Sequence, residues 1–95
     1  MNIDAEKVKK QVAAILKKHG VKRASFFGSF ARGEAVKGSD LDILIEFEGE
    51  KSLLDLVGVK LEIEDMLNMN ADVLTYDALF PAIKDSVLKE EMPIL

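Results

Sequence analysis

Apolar and polar residues recur along the chain with two periods, and these predict its secondary structure. A period near 3.6 residues is typical of a helix with one buried face, and strict alternation is typical of a half-buried strand. Helices are predicted over residues 4–19, 29–33, 53–67 and about 78–91, and strands over residues 22–27, 40–47 and 71–75. The order αβαβαβα predicts an α/β domain with a small mixed β-sheet flanked by helices.

The helix predicted over residues 53–67 is apolar around most of its circumference. In a small domain such a helix is either deeply buried or shared with a partner, and the sequence leaves both open. Ser52 is a suitable N-cap for it, as Asp4 is for the first helix. Residues 92–95 are also apolar, and they are expected to dock either on the core or on a partner.

Alternation in the strand predicted over residues 40–47 places carboxylates on one of its two faces. One face carries Leu41, Ile43, Ile45 and Phe47, and the other carries Asp40, Asp42, Leu44 and Glu46. Asp40 and Asp42 project together from the start of the strand, about 7 Å apart at Cα. Two carboxylates on one rigid edge suit a hard cation such as Mg²⁺, which usually takes its remaining ligands from water and substrate phosphates.

The segment after the first strand has the residues of a phosphate-binding turn. Gly28 allows backbone N–H groups to approach a phosphate closely, and Ser29 can begin a helix whose first N–H groups are unpaired. Arg32 adds a permanently charged guanidinium whose planar shape suits phosphate oxygens. Such a turn beside a carboxylate pair predicts a site for a metal-bound nucleoside triphosphate.

Composition narrows the function classes. The 95 residues suffice for one domain, with 48% hydrophobic and 32% charged residues as in ordinary soluble proteins. A net charge of −4 argues against broad binding to a nucleic-acid backbone, which needs a basic face. The chain has no cysteine, so disulfides and thiol chemistry are excluded. It shows neither a signal peptide nor an apolar run of about 20 residues, so a cytoplasmic protein without a membrane anchor is expected.

The pattern G-S-x-A-R-G, five residues, then S-D-x-D resembles the minimal nucleotidyltransferase (MNT) domains of the DNA polymerase beta-like superfamily. The matching positions are Gly28, Ser29, Ala31, Arg32, Gly33, Ser39, Asp40 and Asp42. A lone Gly-Ser or a lone Asp-x-Asp would be a weak signal, whereas eight positions in the right spacing are specific. The resemblance implies that residues 1–95 form a single domain with the nucleotidyltransferase fold.

The resemblance also implies an activity and its residues. MNT domains carry a third carboxylate on the strand after the long helix, and Asp72 occupies that position. Asp40, Asp42 and Asp72 are then expected to be catalytic and to hold two Mg²⁺ ions, for which Mn²⁺ can substitute. ATP is the expected nucleotide donor. The residues expected to bind it are Gly28, Ser29, Arg32 and Ser39.

The acceptor is a separate question, for which the resemblance again gives a leading hypothesis. The sequence shows neither the substrate-binding domain of antibiotic nucleotidyltransferases nor the nucleic-acid-gripping domains of polymerases, so a protein acceptor is expected. MNT proteins are commonly paired with HEPN-domain toxins and can adenylylate a tyrosine of the toxin, which implies an antitoxin and a hetero-oligomer. Two alternatives stay open: a non-catalytic antitoxin that acts by occlusion, and the catalytic half of a split small-molecule nucleotidyltransferase.

Overall fold

The computed structural model describes residues 4–28, 30–33, 40–78, 89 and 91–95, and a four-stranded sheet lies at its centre. The helices and strands are α1 (Ala5–Lys18), β1 (Val21–Phe27), β2 (Leu41–Phe47), α2 (Leu53–Leu67), β3 (Ala71–Thr75) and β4 (Met92–Pro93). A short 3₁₀ turn, Tyr76–Ala78, follows β3. The predicted α/β class with a small mixed sheet is confirmed.

The sheet order is β3-β2-β1-β4. β1 runs antiparallel to both β2 and β4, whereas β2 and β3 are parallel. A parallel pair needs a crossover connection, and α2 supplies it between β2 and β3. As a result, the N-terminal ends of β2 and β3 meet at the same end of the sheet.

α1 and α2 pack on one face of the sheet and form the core with it. In α1, Val12 and Leu16 are fully buried, and in α2 the same holds for Val59 and Ile63. They join a single cluster with the sheet residues that point to the same side, among them Phe26, Leu41, Ile43 and Ile45. This is the face that alternation in β2 predicts to be buried. On its other face, however, Leu44 is also fully buried, so that face is only partly open to solvent.

The N-terminal capping residues of α1 and α2 are those that the sequence predicts. The N–H of Lys7 donates to Oδ1 of Asp4 at 3.2 Å, so Asp4 caps α1. Before α2, the N–H of Ser52 donates to Oδ2 of Asp55 at 2.8 Å, which forms a capping box. The predicted bounds of α2 and β3 agree with the structure residue for residue.

The predicted helix over 29–33 is wrong for the residues that the structure describes. Residues 30–33 form a turn, in which the N–H of Arg32 donates to the carbonyl of Gly28 and the N–H of Gly33 to that of Phe30, both at 3.2 Å. Two such bonds make a single turn, which is too short to be a stable helix. The last predicted helix, about 78–91, falls largely on residues outside the described part of the chain.

The C-terminal segment docks on the core, which decides between the two alternatives for residues 92–95. β4 pairs with β1, and the N–H of Ile94 donates to the carbonyl of Ala24 at 2.8 Å. The side chain of Ile94 is buried. The predicted order αβαβαβα therefore misses a strand, because a two-residue strand that contains Pro93 has no alternation to reveal it.

The alternative of deep burial for α2 is wrong. Leu53 is 74% exposed, Leu54 81% and Leu61 58%, so only one side of the helix faces the core. Within the described residues, no helix is both long enough and apolar enough to span a membrane.

Candidate active site

The register between β2 and β3 places Asp42 directly beside Asp72. Neighbouring strands lie about 4.8 Å apart, and side chains at paired positions of a parallel ladder point to the same face. Asp40 precedes β2 by one residue and shares the alternation of Asp42. The N–H of Leu41 donates to the carbonyl of Asn70 at 2.9 Å, which joins the starts of the two strands. The structure thus brings Asp40, Asp42 and Asp72 together at one end of the sheet.

The electrostatics of Asp42 reflect this clustering. Partial burial raises the pKa of Asp42, and the nearby carboxylates of Asp72 and Asp40 raise it further. The positive charge of Arg32 acts in the opposite direction and lowers the pKa of Asp42. Since each of these charges affects Asp42, all four side chains belong to one electrostatic site. A cation placed among the carboxylates would relieve their repulsion.

Gly28 lies against the carboxylate of Asp42. Its φ is +68°, in the left-handed region, and a Cβ at this position would overlap Oδ2 of Asp42 and lie 3.3 Å from its Cγ. Phe27, the residue before it, is the cross-strand partner of Asp42. The sequence suggests glycine here for approach to a phosphate, but it does not reveal this contact. Glycine is needed at this position so that the turn can pass over the carboxylate.

The turn that carries Arg32 is anchored by a buried aromatic residue. Phe30 is 1% exposed and packs against Phe26 of β1 with ring centroids 4.7 Å apart. Arg32 lies exposed two residues further along, where its charge acts on Asp42. The two predicted nucleotide-binding serines, Ser29 and Ser39, lie outside the residues that the structure describes.

Glu64 supports the strand that carries Asp72, a role that sequence reasoning missed. Its Oε2 accepts hydrogen bonds from the N–H of Ala71 at 2.9 Å and from Nζ of Lys60 at 2.8 Å. Both hydrogen bonds lower the pKa of Glu64, the one from Lys60 more than the one from Ala71. The four-residue spacing of Lys60 and Glu64 is visible in the sequence, but the contact with Ala71 depends on how α2 leads into β3.

Comparison with known proteins decides the family. The family model described as "Nucleotidyltransferase domain" matches residues 6–93, nearly the whole chain. The chain belongs to the nucleotidyltransferase domain family. It is therefore a nucleotidyltransferase, and the enzyme class predicted from the sequence motif is confirmed.

Two curated relatives show which branch of the family this nucleotidyltransferase resembles. A Methanocaldococcus jannaschii protein, provisionally named a protein adenylyltransferase, is 52% identical over 95 residues, which cover all of both chains. The protein adenylyltransferase MntA of Thermococcus cleftensis is 38% identical over 71 residues, which cover 75% of this chain and 72% of the relative.

Solved structures agree on the fold. A structure provisionally described as a minimal nucleotidyltransferase has a TM-score of 0.82 and 37% identity, and the match covers 96% of each chain. The nucleotidyltransferase is thus of the minimal type, as predicted. A Shewanella oneidensis complex of a HEPN toxin with an MNT antitoxin matches with a TM-score of 0.76 over 96% of this chain and 71% of that one. At 11% identity, this second likeness is one of fold.

The aspartates of the nucleotidyltransferase have the donor chemistry that a divalent metal requires. Carboxylate oxygens are preferred ligands of Mg²⁺ and Mn²⁺, and burial together with the carboxylates of Asp72 and Asp40 raises the pKa of Asp42. As the side chains stand, no three acidic or histidine groups among the described residues converge tightly enough to hold an ion. The strands bring the carboxylates to the same end of the sheet, and the side chains of Asp40 and Asp72 are exposed there.

A hollow of about 360 Å³ lies at the other end of the sheet. Its lining includes Lys22 and Glu46, which form an ion pair at 3.6 Å, together with Lys51 and Asp77. None of the three aspartates contributes to it. The hollow is therefore separate from the carboxylate end of the sheet, which is the candidate active site of the nucleotidyltransferase.

Proposed function

We propose that this nucleotidyltransferase transfers AMP from ATP to a tyrosine hydroxyl of a HEPN-domain toxin and thereby acts as its antitoxin. The observation that carries the proposal is the parallel register that sets Asp42 beside Asp72, with Asp40 and Arg32 close enough to affect the same carboxyl group. Phosphoryl-transfer sites need this combination, because catalysis rests on positioning and on neutralising charge. The names of the relatives as protein adenylyltransferases support a protein acceptor.

In the proposed reaction the tyrosine oxygen attacks the α-phosphorus of ATP. The bond from that phosphorus to the oxygen that bridges it to the β-phosphate breaks, and pyrophosphate leaves. Asp40, Asp42 and Asp72 would hold two Mg²⁺ ions, or Mn²⁺ in their place, and these ions would supply charge neutralisation at the attacking and leaving oxygens. Asp72 would help to remove the hydroxyl proton. Gly28, Ser29, Arg32 and Ser39 would bind the nucleotide through its phosphates.

The proposal also covers the domain organisation of the protein, its location in the cell and its partner. Residues 1–95 are taken as one MNT domain, which the family match over residues 6–93 supports. A cytoplasmic location is proposed, since the donor ATP is available there. The HEPN partner is supported by fold likeness to an MNT antitoxin that was solved together with a HEPN toxin.

The experiment is incubation of the purified protein with ATP, Mg²⁺ and a HEPN-domain protein from the same organism, followed by intact-mass measurement. Wild-type protein is expected to add one or more AMP units to the partner, on tyrosine. The variant with Asp40→Asn and Asp42→Asn should bind the partner and add none, because asparagine keeps the shape of aspartate and lacks its charge.

A second candidate, neutralisation by occlusion alone, is favoured by the exposed apolar residues of α2, which lie away from the aspartates. Occlusion predicts a different outcome of the same experiment. The partner would be neutralised by wild type and double variant alike, without any change in mass. That result would contradict nucleotide transfer as the antitoxin mechanism.

A further inference from the structure

Four apolar side chains form a continuous exposed strip on α2, which we call the α2 face: Leu53, Leu54, Val57 and Leu61. Their spacing of three, four and seven residues puts them on the same side of the helix. They point away from Val59 and Ile63, which are fully buried in the core. Single exposed leucines are ordinary on protein surfaces, whereas a continuous apolar strip marks an interaction site.

Gly58 lies on the flank of this face and is half-buried, since a Cβ there would touch the ring of His19 at 3.9 Å. This flank of α2 therefore faces the end of α1. The four exposed apolar side chains are free of such contact and include i, i+3 and i+7 positions along the helix. This spacing suits contact with a helix of a partner.

The charges around the α2 face are mainly acidic. Residues 50–67 include five carboxylates and only two lysines. Glu62 is paired with Lys18 and Glu64 with Lys60, but Glu50 and Asp65 have no ion-pair partner among the described residues. Asp65 follows Leu61 by four residues and so lies on the same side of α2.

Both ends of the α2 face thus carry an uncompensated carboxylate, Glu50 before the helix and Asp65 at its last turn. The neighbouring Lys51 does not neutralise Glu50 on the α2 face, because the side chain of Lys51 lies over Gly20. Nζ of Lys51 is 3.6 Å from the position that a Cβ of Gly20 would occupy. If a second copy of the chain docked on the α2 face, whether parallel or antiparallel, its carboxylates would lie against those of the first copy. A basic partner surface is the complementary one.

We infer that the α2 face docks the acceptor protein, through an apolar helix of that protein flanked by lysine or arginine residues. The inference rests on the proposed function, because it assigns a surface to the partner named there. Asp42 points to the side of the sheet opposite to Ile43, and therefore opposite to α1 and α2. Docking and nucleotide transfer then use different sides of the sheet and can be separated by substitution.

The test measures the affinity of the purified protein for a HEPN-domain protein from the same organism, by calorimetry without ATP. Leu54→Gln combined with Leu61→Gln is expected to weaken binding by about tenfold or more, since buried anchors dominate an interface. Glutamine keeps the helix propensity of leucine, and both sites are exposed, so the variant should fold with an unchanged melting temperature. Leu74→Gln is the matched control, because Leu74 is an exposed leucine on β3 (41%) and should bind like wild type.

A second pair of variants tests the charge of the partner. Asp65→Lys should weaken binding, whereas Glu46→Lys, which changes the net charge equally at an exposed site of β2 on the face of the sheet opposite to α1 and α2, should not. Equal binding by wild type and the double-leucine variant would overturn the inference. So would a wild-type protein that dimerises by sedimentation and becomes monomeric in that variant, because the α2 face would then hold a second copy.

The outcomes also separate this inference from the proposed function. If AMP is transferred to the partner equally well by wild type and the double-leucine variant at limiting partner concentration, the docking surface is wrong and the function stands. If the variant loses binding and wild type transfers no AMP, the docking surface stands and the catalytic proposal fails.

Discussion

Gly28 and Asp42 constrain each other through direct contact. The backbone of Gly28 has a φ of +68°, and the space where a side chain would begin is taken by the Asp42 carboxylate. Two separate requirements for glycine therefore coincide at one position. Gly49 shares the first requirement, with a φ of +75°, but a Cβ there would meet nothing within 4 Å.

This difference gives a matched pair of substitutions. Gly28→Ala and Gly49→Ala should each lower the free energy of unfolding by about 1 kcal/mol, since alanine is strained at positive φ. Only Gly28→Ala should also weaken metal-dependent ATP binding, because the methyl group displaces the Asp42 carboxylate. Thermal denaturation and nucleotide titration measure the two effects. Equal ATP affinity of the two variants would show that the contact with Asp42 does not matter for the site.

The raised pKa of Asp42 gives a prediction for pH. Its causes are burial, then the carboxylates of Asp72 and Asp40. An aspartate in the unfolded chain has a pKa of about 3.9. Between that pH and the raised pKa of Asp42 in the folded chain, the folded chain holds a proton that the unfolded chain has lost. The free energy of unfolding therefore falls as pH rises through this window and stays lower above it.

Asp42→Asn removes this effect. At pH 7 without metal the variant should melt at a higher temperature than wild type, because asparagine carries no charge for the neighbouring carboxylates to repel. The difference should shrink as pH is lowered towards about 4. Added Mg²⁺ should stabilise wild type and have little effect on the variant. Equal stabilisation of both by Mg²⁺ would exclude Asp42 as a ligand.

At the scale of elements, the link between α2 and β3 holds Asp72 in place. Glu64 near the end of α2 accepts the N–H of Ala71, the first residue of β3 and the neighbour of Asp72. Nζ of Lys60 donates a second hydrogen bond to the same carboxylate oxygen. Glu64 thus connects the helix to the strand position that sets Asp72 beside Asp42.

Glu64→Ala should therefore raise the Mg²⁺ concentration needed for half-maximal nucleotidyl transfer, because Asp72 loses its fixed position. Glu64→Gln keeps an oxygen that can accept the Ala71 N–H, so it should restore most of the metal affinity. Lys60→Met removes only the ion pair and should resemble wild type, since exposed pairs contribute little. Loss of melting temperature in Glu64→Ala with an unchanged Mg²⁺ dependence would mean that Glu64 stabilises the fold and does not position the site.

Elements with a strong local signal could be predicted from the sequence, and the others could not. Capping residues and alternation placed α2 and β3 correctly because these features act within a few residues. The turn at residues 30–33 and the strand β4 depend on distant contacts, such as Phe30 against Phe26 and Ile94 against Ala24. Periodicity also could not tell which side of α2 faces out, since an all-round apolar helix has no contrast between its sides.

At the scale of the molecule, the site depends on strand order. Nothing local in the sequence shows that β2 and β3 are parallel neighbours, and the family resemblance supplied the expectation that Asp72 joins Asp40 and Asp42. The Gly28 contact and the Glu64 support could be found only from the fold. The chain has acidic groups at its candidate catalytic edge and an apolar strip on α2, an arrangement that supports the proposal of a protein acceptor.

The most direct test of the proposed site is anomalous diffraction from crystals grown with Mn²⁺ and α,β-methylene-ATP, which cannot undergo the proposed bond cleavage. We expect a manganese signal at the carboxylates of Asp40 and Asp42 and the triphosphate beside Gly28 and Arg32. Crystals of Asp42→Asn should lack the metal signal. Metal and nucleotide bound elsewhere, for example in the hollow lined by Lys22 and Lys51, would contradict the assignment of the three aspartates as the active site.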